Sequence, residues 1–294
     1  MKKEMTFTVT EGLHESRVKD ILSHTLGLSG NNIKSLKFHG KVLKNGETVS
    51  VRETVAMGDE ITLVFPDERS EHIVPSDIPI DVIFEDDDVL AVNKPSAMPT
   101  HPSAGHRDDT LANAVMYRYG GDFVFRPITR LDCDTTGTVL IAKNGASAAK
   151  LCSDIANGNL HKSYIALCVG VPEKTTGIVD LPIGRADGSI IKHKIRQDGA
   201  NALTNYEVIS QSRGYSLIRA YPVTGRTHQI RIHLASLGCP IYGDFLYGTE
   251  IPGVRTLLHC ESVTFSHPAD GHTVNVVSEM PEDMQSVAKK LGLI

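Results

Sequence analysis

The chain has 294 residues, 40% of them apolar, and a formal net charge of −5. This length favours one large domain with a smaller companion, and the charge is not typical of a general nucleic-acid binder. No apolar run reaches the roughly 18 residues of a membrane-spanning helix, and no apolar signal core follows the two N-terminal lysines. We therefore expect no membrane association and a cytoplasmic location.

Metal and redox motifs are missing from the sequence. The five cysteines are widely spaced, without a CxxC pair, which is typical of reduced thiols in a cytosolic protein. His228 and His233 are five residues apart, and the segment between them lacks the glutamate of a zinc protease helix. The sequence therefore predicts no metal site.

The N-terminal segment reads as a small compact unit. A strand is predicted at residues 6–10, then a helix over 16–29 with Ser16 as its cap and Gly27 as its stop. Turn signals at 45–46 and 58–59 precede a closing strand. We place this unit at residues 1–68 and a linker at 69–79, and we expect the acidic stretch at 77–88 to be a solvated loop.

From residue 80 onward the sequence is mainly strands, and it predicts a domain over 80–294. The strand segments are DVIFEDD, VLAVNKP, TVLIAKN, SYIALCVG, TNYEVIS, YSLIRAYPV and ESVTFSHP. Two helices are predicted, over 145–158 and 226–238, the second capped by Thr224 or Thr227. This order favours an α+β fold with a large mixed or antiparallel sheet over a βαβ alternation.

Asp132 lies in the segment RPITRLDCDTTGTVLIAKN, and by itself it is ambiguous, because aspartate in a polar turn is commonly a local hydrogen-bond acceptor. Further segments occur in a fixed order along the chain: EDDDVLAVNKPSAMPTHP, HKSYIALCVG, PIGR, PVTGRTHQIRIHLASLGCPIYGDFLYG and LLHCESVTFSHP. Together they resemble the RluA-like family of RNA pseudouridine synthases across most of residues 80–270.

The resemblance implies isomerisation of uridine in RNA to pseudouridine, a reaction that needs no cofactor. It implies that Asp132 is the nucleophile, which attacks sugar or base or promotes a glycal, and that Arg231 pairs with its carboxylate. A buried carboxylate stays ionised beside a guanidinium. Tyr164 would stack on the uracil of a flipped-out nucleotide, and its phenol would assist the final proton transfer.

The resemblance also implies a set of substrate-binding residues. Arg130 would fill the gap in the RNA stack, Leu258 would pack below the uracil, and Thr136 and Gly137 would shape the turn. The remaining substrate-binding residues are Arg226, His228 and Gln229. Four positions depart from the family pattern: Thr129, Cys133, Thr136 and Cys260.

The expected partner is large-subunit ribosomal RNA or transfer RNA, and we expect a monomer. The N-terminal unit resembles a small alpha-L RNA-binding domain, although residues 1–70 carry 10 basic and 10 acidic side chains; a purely structural domain is the alternative. The basic cluster at 192–196 fits either an RNA path or a solvated loop. Two other functions stay open, a glycoside hydrolase or nucleosidase and a non-catalytic RNA-binding protein.

Overall fold

The computed structural model describes residues 4–28, 30–65 and 73–294. The helices in that part of the chain are α1 Val18–Asp20, α2 Gly30–His39, α3 Leu111–Arg118, α4 Gly145–Ala156, α5 Gln229–Ser236 and α6 Glu282–Leu291, with a 3-10 turn at Glu11–Leu13 and a π-helix at Ile21–Thr25. The strands are β1 Glu4–Thr8, β2 Lys41–Lys44, β3 Glu47–Thr48, β4 Glu60–Val64, β5 Asp81–Glu85, β6 Val89–Lys94, β7 Arg126–Pro127, β8 Thr136–Ala142, β9 His161–Val169, β10 Thr176–Asp180, β11 Ile183–Arg185, β12 His193–Ile195, β13 Leu203–Ser212, β14 Tyr215–Pro222, β15 Leu258–Ser266 and β16 Thr273–Val277.

A ten-stranded mixed sheet forms the body of the larger domain, in the order β10-β13-β14-β9-β15-β8-β6-β5, with β16 beside β15 and β7 beside β8. Among the described strands, β15 and β8 form the parallel pair, and the other pairings are antiparallel. The predicted α+β class is confirmed. All seven predicted strand segments are present, and β8, β9 and β15 lie together at the centre.

Alternation along β9 separates two hydrophobic clusters. Tyr164, Ala166 and Cys168 face the main core, whereas Ile165 and Leu167 pack against α6 on the other face. This is the pleat that the sequence pattern predicts. Tyr164 therefore points to the same side of the sheet as Leu258, which begins β15.

The N-terminal unit has its own four-stranded sheet, in the order β1-β4-β2-β3. The helix predicted over 16–29 is in fact α1 continuing into the π-helix, and its N-cap is Arg17 rather than Ser16. Gly27 ends it with a φ of +62°. Ala149 of α4 contributes to the hydrophobic core of this unit, so the two parts of the chain pack against each other. The predicted boundary at 68 and part of the predicted linker lie outside the described residues.

The prediction of a solvated acidic loop at 77–88 is wrong. Asp81 and Glu85 lie on β5, and Asp88 is buried, where its carboxylate accepts hydrogen bonds from Asn144 Nδ2 at 2.9 Å and Ser147 Oγ at 2.6 Å. These contacts hold the first turn of α4. Composition alone could not show that part of this stretch forms a strand and that Asp88 binds the start of a helix.

Within the ranges that the structure describes, none of the helices is long and apolar enough to cross a membrane.

Candidate active site

Two threonine hydroxyls fix the segment just before Asp132. Thr129 Oγ1 accepts a hydrogen bond from the backbone N–H of Leu140 at 2.9 Å, and Thr100 Oγ1 donates to the carbonyl of Leu131 at 3.0 Å. Thr129 is one of the four departures from the family pattern, and here it ties the loop to β8. The residue before Asp132 therefore has a fixed backbone.

Lys94 supports the same loop from inside the protein. It is fully buried, and its ammonium group donates to the carbonyls of Pro95 at 2.8 Å, Met98 at 2.7 Å and Cys133 at 2.9 Å. Burial lowers the pKa of Lys94 to about 8, so the group is still charged at pH 7, as three acceptors require. Lys94 was not among the predicted site residues, although a lysine so close to the apolar run VLAV indicates a buried charge.

Arg231 is placed between two carboxylates. Its Nη1 lies 3.5 Å from Asp132 Oδ2, while Nε and Nη2 each donate to Asp244 at 2.7 Å. Burial acts to lower the pKa of Arg231, but the Asp244 hydrogen bonds and charge outweigh it and the pKa is raised. The ion pair with Asp132 is therefore present, and Asp244 holds the guanidinium in place.

Asp244 supports Arg231 in the structure and was not among the predicted site residues. It is fully buried, and besides Arg231 it accepts from the backbone N–H groups of Leu246 and Tyr247 at 2.9 and 3.1 Å. Burial raises the pKa of this carboxyl, but the bonds and charge of Arg231 outweigh it and the pKa is lowered. The sequence feature that could have indicated Asp244 is the segment GDFLYG after α5. This segment forms a turn in which backbone N–H groups donate to the Asp244 carboxylate.

Aromatic rings cover the guanidinium. The Arg231 Cζ lies 5.2 Å from the centroid of the Tyr247 ring and 5.8 Å from that of Phe245. Rings at this distance favour a cation through their electron-rich faces. Asp132 is more exposed to solvent than Arg231, with 30% of its side chain exposed. It is therefore less buried than the sequence predicted.

Tyr164 lies at the floor of the site, 7% exposed, and pairs across the sheet with Cys260 of β15. Burial, with the nearby Cys260 and Asp132, raises the pKa of Tyr164 well above its ordinary value. The phenol is therefore neutral at physiological pH.

The start of α5 differs from the predicted threonine cap. His228 occupies the N-cap position in a left-handed conformation with φ 57°, and neither Thr224 nor Thr227 caps the helix. Instead, the Gln229 amide accepts from Thr224 Oγ1 and the Arg226 N–H and donates to Leu203 O and Thr204 Oγ1. All four hydrogen-bonding positions of that amide are used within the protein. Gln229 thus shapes the turn that presents His228.

The other predicted substrate-binding residues fall into two groups. Arg130 and Arg226 are exposed, and Arg226 Nε donates to Asn201 O at 2.9 Å. Thr136 and Gly137 are the first residues of β8 rather than part of the turn. A Cβ on Gly137 would lie 2.2 Å from the Cys260 carbonyl oxygen, so glycine permits the close approach of β8 to β15.

The basic cluster at 192–196 belongs to the small β11–β12 sheet. Arg196 bonds Asp187 and Asp198, and Lys194 bonds Asp187, so much of its charge is paired. The same hairpin also contacts a residue of the site, because the backbone N–H of His193 donates to Tyr247 Oη at 3.0 Å. The cluster is therefore an ordered hairpin beside the site.

Among the described residues, one group of three side chains could supply metal ligands, namely His267, Asp270 and His272, whose ligand atoms lie within 4.8 Å of one another. Asp270 already bonds His272, and Asp86 bonds His267 at 2.7 Å. The group follows the far end of the nine-residue strand β15 from Leu258, about 27 Å along an extended chain. It is therefore separate from Asp132.

These observations define a class of protein. A half-open carboxylate is held by a buried arginine above a buried tyrosine at the centre of a mixed sheet, which suits chemistry on a flat polar ring. The family model described as RNA pseudouridylate synthase matches residues 88–236, about half of the chain. The chain belongs to the RNA pseudouridine synthases and is an enzyme of that family.

Relatives extend the match to nearly the whole chain. "Ribosomal large subunit pseudouridine synthase D" of Xanthomonas campestris is 34% identical, over 86% of this chain and 81% of that protein. "Uncharacterized RNA pseudouridine synthase YlyB" of Bacillus subtilis is 31% identical over 98% of both. The solved structure of human RNA Pseudouridylate Synthase Domain Containing 4 has a TM-score of 0.59 at 24% identity and covers 73% of this chain and 94% of that one, which supports the fold.

Proposed function

We propose that this enzyme converts specific uridines of large-subunit ribosomal RNA to pseudouridine, with Asp132 as the nucleophile and the target base flipped out of its stack. The names of the relatives favour ribosomal RNA over transfer RNA. The observation that carries the nucleophile assignment is the Asp132 carboxylate, exposed on one side and 3.5 Å from Arg231 Nη1 on the other. The expected cytoplasmic location and monomeric state stay predictions.

The reaction is an isomerisation within one nucleotide. The bond from ribose C1′ to uracil N1 breaks, a bond from C1′ to C5 forms, the proton leaves C5, and N1 gains a proton. Asp132 attacks sugar or base, or promotes a glycal, and each route needs an ionised carboxylate at its start. Arg231 supplies a fixed positive charge that stabilises that ionised state.

Tyr164 supports the base from below. Its ring is held by β9 on the same side of the sheet as Leu258, and both are buried. A flat uracil can stack on the one and pack against the other. Because the raised pKa keeps the phenol protonated, stacking is favoured over a role as the base that removes the C5 proton.

Arg130 faces the RNA. It is exposed and two residues before Asp132, on a loop whose backbone is fixed. Extruding a nucleotide costs a few kcal/mol, and a planar guanidinium can both stack in the vacated position and bind phosphate. The exposed Arg226 offers a second phosphate contact. Three further residues have an indirect role, because they fix the backbone around the site and do not contact the RNA themselves: Thr136, Gly137 and Gln229.

Hydrolysis is the competing chemistry. A nucleosidase would need a second carboxylate to activate water, but the carboxylate that shares Arg231 with Asp132 is Asp244, which is fully buried and accepts four hydrogen bonds. Isomerisation needs no second free carboxylate. Free uracil as the product would overturn the proposal, and RNA binding without any conversion would favour the non-catalytic alternative.

The experiment is to map pseudouridines across total RNA in cells with and without the gene, and then to restore each missing site with purified enzyme in vitro. We expect one or a few positions in large-subunit ribosomal RNA to depend on the gene and to be restored by the enzyme. Sites found only in transfer RNA would change the substrate assignment, and no dependent site would contradict the proposed activity.

A further inference from the structure

Two hydrogen bonds and one longer polar contact form a chain behind the Asp132 carboxylate. The backbone N–H of His193 donates to Tyr247 Oη at 3.0 Å, Tyr247 Oη lies 2.9 Å from His228 Nδ1, and His228 Nε2 lies 3.9 Å from Asp132 Oδ2. The His228 ring is held in an edge-on contact with Tyr247, at 5.6 Å between centroids. The imidazole therefore spans the space between the tyrosine and the carboxylate.

The order of donors and acceptors along this chain follows from its two ends. A backbone N–H can only donate, so Tyr247 oxygen is the acceptor from His193. The His228–Asp132 contact of 3.9 Å is longer than a hydrogen bond, but the negative carboxylate favours the tautomer that has its proton on the ring nitrogen facing Asp132. In a neutral imidazole the other nitrogen, Nδ1, is then an acceptor, and the Tyr247 hydroxyl donates to it.

His228 is neutral at physiological pH. Burial lowers its pKa below 6.5, with Asp132 and Asp244 opposing and Arg231 and His193 adding to the decrease. These four groups and Tyr247 face the ring from the elements described around it. The left-handed backbone of His228, with φ 57°, is uncommon for a residue with a side chain and is often found at functional sites.

We propose that Tyr247 is a positioning residue that fixes His228 as the Nε2–H tautomer, so that a neutral histidine points an N–H at the nucleophilic carboxylate. This inference rests on the proposed function in taking Asp132 as the nucleophile. A neutral donor orients the carboxylate without adding a second full positive charge to that of Arg231. The nucleophile therefore keeps more of its reactivity than it would beside two cations.

The tautomer can be measured without activity. Long-range proton–nitrogen NMR correlations of 15N-histidine-labelled enzyme at pH 7.5 distinguish protonated from unprotonated ring nitrogens, and His228→Asn identifies the signals. We expect protonated Nε2 and bare Nδ1 in the wild type, and a mixture of tautomers in Tyr247→Phe. Tyr242→Phe, whose ring packs in a different cluster, is the control. A protonated Nδ1 in the wild type would overturn the proposal.

The pH profile gives a second readout. A hydrogen bond donated to the neutral form of a histidine disfavours its protonation. Loss of the hydroxyl in Tyr247→Phe should therefore raise the pKa of His228 and move the acidic limb of turnover to higher pH, with kcat at neutral pH reduced on the order of tenfold, the effect of one hydrogen bond, and KM within about twofold. An acidic limb that does not move would contradict the proposal.

Two replacements of His228 separate this role from packing. The amide nitrogen of His228→Gln can reach the position of Nε2 and donate to Asp132, whereas that of His228→Asn reaches only the position of Nδ1. We expect Gln to retain more turnover than Asn, and equal loss would count against the donor role. If the wild type itself made no pseudouridine, the proposed function would fail while the NMR result still decided the tautomer.

Discussion

The buried bond between Arg231 and Asp244 makes a quantitative prediction about stability. Asp244 is fully buried, 6% of the Arg231 side chain is exposed, and two bonds of 2.7 Å join them. Asp244→Asn keeps the shape but removes the charge, which leaves the guanidinium with Asp132 alone on the solvent side. Removing one partner of a buried ion pair costs about 3 to 5 kcal/mol, and we expect a loss of unfolding free energy in that range.

Urea denaturation followed by circular dichroism measures that loss. Arg255 and Asp283 form the matched control, because Asp283 also accepts two bonds from one guanidinium, at 2.7 and 3.2 Å, but 51% of its side chain is exposed. Asp283→Asn should cost less than about 1 kcal/mol. Adding Arg231→Met to Asp244→Asn removes the stranded charge and should restore part of the stability. Equal losses for the two asparagine variants would refute the reasoning.

Other predictions concern turnover, pH and the catalytic loop. Arg231→Met should reduce pseudouridine formation while the protein stays folded, as circular dichroism would show, and unchanged turnover would contradict its pairing role. Tyr164→Phe should keep near-normal turnover, because the neutral phenol acts by stacking. A severe loss of turnover would instead indicate that the Tyr164 hydroxyl takes part in the final proton transfer. Glu85 accepts bonds from a tyrosine, an arginine and a lysine that outweigh burial and lower its pKa to about 2. Its contribution to stability is therefore present above pH 4.5 and lost as the pH falls toward 2, and Glu85→Gln should flatten the dependence of the unfolding midpoint on pH in that window. Lys94→Met removes three hydrogen bonds to backbone carbonyls, so it should destabilise the protein and lower turnover, and wild-type values in a melting curve and a rate assay would exclude the support role.

The strands were predictable because their signal is local. Alternation along residues 161–169 fixed which side of β9 faces the core, and the structure has Tyr164 on that side. The pairing of β8 with β15 was not predictable, since it joins residues 136–137 to 259–260 across the chain. That pairing brings the Asp132 loop, Tyr164 and Leu258 to one place.

The site was predicted from motifs, and its supports were missed because they act through contacts distant in sequence. Asp244 reaches back 13 residues to Arg231, and Lys94 reaches forward 39 residues to Cys133. Neither spacing has a local pattern. The structure explains the threonine at position 129, because the Thr129 hydroxyl binds the β8 backbone. Nothing in the structure explains the side chain of Cys133.

The central claim is that Asp132 carries the chemistry, and the most direct test compares two aspartates of one loop. Pseudouridine formation is measured under single-turnover conditions on the ribosomal RNA target for the wild type, Asp132→Asn and Asp134→Asn, with Asp132→Ala as a second removal of the carboxylate. The account predicts no conversion by either Asp132 variant, with fold retained by circular dichroism, and near wild-type conversion by Asp134→Asn. Conversion by folded Asp132→Asn at the wild-type rate would contradict it.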